Sequence, residues 1–93
     1  MIKHIIRTPH FKRDYKALMK KRYNADLFEM ALRALVAQDE NALRTRYRDH
    51  ALKGEWEGYR ELHVAADWLL IYRINKGELQ LVLTRTGSHD DLF

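Results

Sequence analysis

Two apolar stripes at helical spacing stand side by side in the first 37 residues, and after them the spacing changes. Phe11, Tyr15, Leu18 and Met19 recur at i, i+4, i+7 and i+8, and Leu27, Met30, Ala31, Ala34 and Leu35 repeat the pattern. Thr8 suits the N-cap of the first helix, and Pro9 suits its first turn, where a missing N–H leaves nothing unpaired. Asn24 caps the second. An isoleucine-rich segment, Ile2 to Arg7, precedes them as a short strand. Periodicity is lost from Gln38 to Gly58, which reads as a loop. Tyr59 to Val64 and Trp68 to Ile74 then read as strands, and Glu78 to Thr84 alternates Leu79, Leu81 and Leu83 with other residues. Asn75-Lys76-Gly77 is a hairpin loop with glycine where a positive φ is wanted. Residues 87–93 form a polar tail ending Leu92-Phe93. The order β-α-α-β-β-β predicts an α+β fold, with two N-terminal helices packed on one face of a small, largely antiparallel sheet. Ninety-three residues without a repeat or a Pro- or Ser-rich linker imply a single domain over residues 1–93.

Charge is unevenly spread. Eight lysines and arginines fall in residues 1–22 against one acid, Asp14; that segment carries +7 and the remainder −3, for the overall +4. A basic face of this density attracts a polyanion, either nucleic acid or an acidic protein. Lys12, Lys16 and Lys20 lie mostly off the apolar stripe, as they would on a solvated helix face as well. The absence of cysteine excludes disulfides, thiolate zinc sites and a cysteine nucleophile. The charged opening is no signal peptide and no apolar run has the length of a membrane span, so a cytoplasmic location is expected.

Strand parity separates two faces. Leu62 and Val64 suit the helix-covered core, so Glu61 and His63 project from the other side. Arg85 follows Leu79, Leu81 and Leu83 in register, and reaches that side only if a bulge, a twist or the strand end redirects it. Three histidines, His50, His63 and His89, each lie near acids in sequence: Asp49, Glu61 with Asp67, and Asp90 with Asp91. Imidazoles titrate near neutrality and can serve as base and acid in one reaction. Scattered surface histidines fit the spacing too. A metal site built on His63 and Asp67 with His50 or His89 is a third reading, although no compact metal-binding pair of histidines is present. Ser88 lacks the context of a hydrolase nucleophile. Trp56, Trp68, Tyr59 and Phe93 interleave with Arg60, Arg73 and Arg85, a composition that either stacks unpaired bases or fills a core.

His50-Ala51-Leu52-Lys53-Gly54-Glu55-Trp56-Glu57-Gly58-Tyr59-Arg60-Glu61-Leu62-His63, followed by Asp67-Trp68-Leu69-Leu70-Ile71-Tyr72, resembles the YafQ-like branch of the RelE/ParE toxin superfamily. Arg85-Thr86-Gly87-Ser88-His89 with Leu92-Phe93 is similar to that family's ending. The resemblance implies a toxin of a bacterial type II toxin–antitoxin pair that cuts messenger RNA in the ribosomal decoding site. It implies an active-site group of His50, Glu61, His63, Asp67, Arg85, His89 and Phe93, with Phe93 stacking an RNA base; the aromatic pattern adds Trp68 as RNA-binding, and the charge pattern adds Lys12, Lys16 and Lys20 as phosphate contacts. Where the family often has Asp, this chain has Glu61.

The implied chemistry needs no metal or cofactor. A 2′-hydroxyl attacks its neighbouring phosphate, leaving a 2′,3′-cyclic phosphate and a 5′-hydroxyl. His50 is expected as base, His89 as acid, or the reverse; Arg85 clamps the phosphate, Asp67 tunes a histidine and His63 positions the phosphate or shares the proton transfer. The implied partners are a cognate antitoxin, the ribosome and messenger RNA. A ParE-like toxin, which would act on DNA gyrase without catalysis, or a simple RNA-binding module is the alternative.

Overall fold

A computed structural model describes residues 2–93. Strand β1 (His4–Arg7) leads into helix α1 (Pro9–Lys20), and α2 (Ala25–Ala37) follows after a short turn. The expected caps form. The Thr8 hydroxyl accepts the Phe11 N–H at 3.0 Å, and the Asn24 side chain accepts the Asp26 N–H at 2.9 Å. Arg22 in the turn has a φ of 64°. The stretch expected as a loop contains a third helix, α3 (Glu40–Thr45), capped by Asp39, and a two-residue strand, β2 (His50–Ala51). Six residues were too few for an apolar period to register.

Strands β3 (Arg60–Ala65), β4 (Trp68–Asn75) and β5 (Gln80–Gly87) complete one five-stranded sheet in the order β1-β5-β4-β3-β2. Three pairings are antiparallel; β1 lies parallel to β5. The β4–β5 turn spans residues 76–79, and its positive φ of 54° falls on Leu79 rather than on Gly77. Leu79 therefore belongs to the turn, not to the strand, where its carbonyl accepts the Lys3 N–H at 2.8 Å. The expected polar tail is instead a short helix, α4 (His89–Leu92), started by a reciprocal capping box between Ser88 and Asp91 and anchored by buried Leu92.

The sheet has two apolar faces of unequal size. Phe11, Leu18, Phe28, Ala31 and Leu35 of the helices pack on Leu62, Trp68, Leu70, Tyr72, Leu81 and Leu83. On the opposite face, Leu69, Ile71 and Leu92 form a smaller cluster with Leu52, Trp56 and Tyr59. Trp68 belongs wholly to the first. It is 2% exposed, meets Tyr23 edge-on at 5.1 Å, and donates its indole N–H to the Thr86 hydroxyl at 2.9 Å. Its assignment to RNA binding is thereby corrected, since no base can stack on a ring sealed under two helices.

Candidate active site

The face away from the helices collects most of the residues singled out from sequence. His50 pairs with Glu61, Glu61 with Ile71, and Ile71 with Arg85, so these four stand in one row across β2, β3, β4 and β5. Residues paired across strands share a face. One row further on, His63 pairs with Leu69. Arg85 reaches this face through a bulge: Tyr72 is opposite Leu83 while Ile71 is opposite Arg85, which leaves Thr84 as the extra residue and reverses the parity.

The three imidazoles and Phe93 form a file. Ring centroids are separated by 6.2 Å between His50 and His63, 6.3 Å between His63 and His89, and 6.2 Å between His89 and Phe93. A carboxylate stands against each outer imidazole. Glu61, 4% exposed, brings Oε1 to 3.5 Å from His50 Nε2. Asp67, in the β3–β4 turn, accepts from both His89 N and His89 Nδ1 at 3.2 Å. These two bonds hold the Asp67 carboxyl below its ordinary range, the backbone bond contributing more. His50 Nδ1 lies 3.0 Å from the Arg48 carbonyl. A carbonyl only accepts, so Nδ1 is the donor in this contact and Nε2 is the nitrogen turned toward Glu61. His63 differs from both. Burial first, and then the Arg48 guanidinium, push its pKa below the usual value, and its Nδ1 is sealed off without a hydrogen-bond partner.

Sequence neighbours proved poor guides to charge partners. Asp49 does not serve His50. It accepts from Arg60 Nε at 2.7 Å and from the Tyr72 hydroxyl, beneath the chain that carries Arg48 and His50. Burial and the Asp49 charge keep the Tyr72 phenol protonated far above its ordinary pKa. Asp91 caps its own helix through Ser88. Asp14, the lone acid of the basic segment, reaches across 71 residues to grip Arg85. Its isolation among eight cations was the available sign of a specific role. Lys12, Lys16 and Lys20 are exposed on α1, outside the histidine file. Lys12 and Lys16 border a groove of about 390 Å³ between α1 and α2, floored by Phe11, Tyr15, Met19, Phe28 and Leu32.

A small five-stranded sheet with helices packed on one side is the α+β architecture of the compact RelE-like toxins. The chain belongs to the family of YafQ, bacterial toxins of type II toxin–antitoxin systems, which it matches over residues 3–93. It is 35% identical over 83 residues to the mRNA interferase toxin YafQ of Escherichia coli strain K12, covering 89% of this chain and 87% of that one. The E. coli DinJ–YafQ toxin–antitoxin complex contains a chain similar in structure, with a TM-score of 0.84, 31% identity and coverage of 100% and 99%. A metal-bound toxin from Helicobacter pylori superposes with a TM-score of 0.86 at 36% identity, with both chains fully covered.

Proposed function

We propose that this toxin is a ribosome-dependent mRNA interferase that cuts by 2′-hydroxyl attack, with the histidine file as its catalytic centre. The observation that carries the reading is the pairing of His50 with Glu61 at one end and His89 with Asp67 at the other. His50 is the base. Its Nε2 takes the 2′-hydroxyl proton, and the imidazolium that results faces the buried Glu61 carboxylate. Glu61 replaces the family's usual Asp in this task. His89 is the acid, oriented by Asp67 through Nδ1, so Nε2 delivers the proton to the departing 5′-oxygen. Neutral His63 lies between them and has only Nε2 to offer, as a hydrogen-bond donor to the phosphate. Arg85 supplies the charge that the pentacovalent phosphorane needs. Phe93, 61% exposed beside His89, stacks the adjoining base.

The substrate is messenger RNA on the ribosome, with Lys12, Lys16 and Lys20 gripping ribosomal RNA phosphates, and the inhibiting partner is a cognate antitoxin with an acidic segment. The H. pylori relative is described as metal-bound. Here the carboxylates sit at opposite ends of the file, and no three His, Asp or Glu side chains come together as a ligand set among the described residues.

Primer extension on a translated message, with and without the protein, tests the proposal. New 5′ ends within translated codons are expected, together with 2′,3′-cyclic phosphate on the upstream fragment. Translation arrest without cleavage would instead support a binding-only toxin.

A further inference from the structure

We propose that Asp14 is a positioning residue for cleavage: from the basic helix it fixes the orientation in which Arg85 meets the scissile phosphate. The proposal rests on Arg85 being the phosphate clamp.

The contact is a fork. Arg85 Nε and Nη2 donate to the two Asp14 oxygens, each at 3.0 Å, and the Thr86 N–H donates to Oδ2 at 3.2 Å. Strand β1 pairs only as far as Leu83, so the outer edge of β5 beyond it has no strand partner. Helix α1 substitutes for one. The Thr8 hydroxyl donates to the Thr84 carbonyl at 2.9 Å, and Asp14 takes the Thr86 N–H. Asp14 is thereby held by the same strand that carries Arg85, immediately after the Thr84 bulge. A guanidinium has five N–H donors in a rigid plane; two are spent on Asp14, which leaves three for an incoming phosphate with their direction already set. Both partners are largely shielded, with 21% and 13% of their side chains exposed, so the fork is little screened.

A carboxylate this close weakens the positive field that a phosphate would feel. Field and orientation thus predict opposite results when the charge is removed. If orientation dominates, Asp14→Asn lowers the cleavage rate at saturating ribosomes by roughly 10–100-fold while KM changes little, because a clamp displaced by about 1 Å costs on that order. In an Arg85→Ala background the same substitution has no further effect, since residues acting through one another are not additive.

The four proteins of this cycle are to be compared for cleavage of a translated message and for thermal unfolding. Loss of rate in Asp14→Asn that disappears in the Arg85→Ala background supports the proposal. Equal or faster cleavage by Asp14→Asn, or a loss that persists undiminished without Arg85, overturns it. Wild-type cleavage by Arg85→Ala alone removes the clamp assignment, and the proposal with it. Where Asp14→Asn fails to fold, Asp14→Glu keeps the charge and moves it by one methylene; wild-type cleavage by that variant overturns the proposal, and a reduced rate with unchanged KM supports it.

Discussion

Among the three imidazoles of the file, His63 has the one ring nitrogen, Nδ1, shut away from both water and hydrogen-bond partners. Burial and Arg48 lower its pKa, while Glu61 opposes them weakly. In the unfolded chain the imidazole titrates near its ordinary 6.5, so below that pH the unfolded state binds the extra proton first. The stabilisation from a neutral His63 is complete above 6.5 and is lost as the pH falls toward its folded value. Melting temperatures measured from pH 7.5 downward should decline through this window in the wild type and less steeply in His63→Gln; parallel curves would remove His63 as the cause. His89 makes the opposite case. Its ring is exposed and its contacts are polar, so His89→Ala should leave the melting temperature nearly unchanged while lowering cleavage roughly 10²–10⁴-fold. Equal cleavage at equal folded concentration would remove it from the mechanism.

Helix α4 is too short to persist alone, and the Ser88–Asp91 box and Leu92 hold it in place. Ser88→Ala should cost about 1 kcal/mol locally and reduce cleavage more than it reduces the melting temperature, because α4 carries His89 and Phe93. Trp68→Ala should do the reverse, destabilising the protein by about 3–5 kcal/mol in denaturant titrations through loss of its contacts with Tyr23 and Phe28. The helices and β3 to β5 were readable because their periods extend over enough residues to be counted. The short elements α3, β2 and α4 were not, since caps and long-range pairing define them. At the site, Glu61 and His63 followed from strand parity. The partners of Arg85 and Tyr72 did not, because a bulge and contacts between residues far apart in sequence leave no local pattern.

Across the whole molecule, the Asp14–Arg85 fork ties helix α1 to β5, the strand that leads into the helix of His89. Reversing charge at Lys12, Lys16 and Lys20 should weaken ribosome binding and flatten its log–log salt dependence by roughly 2–3 if each lysine contacts a phosphate. Cut positions should stay the same. Binding retained equally across salt concentrations would make that face a solvated surface or the antitoxin's docking site instead. The parallel pairing of β1 with β5 joins the first strand made to the last. Such non-local pairing closes late, after the intervening chain has been produced and the entropy of a long loop overcome. Arg85, His89 and Phe93 also follow His50, Glu61, His63 and Asp67 in the chain. In synthesis from the N-terminal side, therefore, the basic helix is complete well before the imidazoles of the file can be gathered.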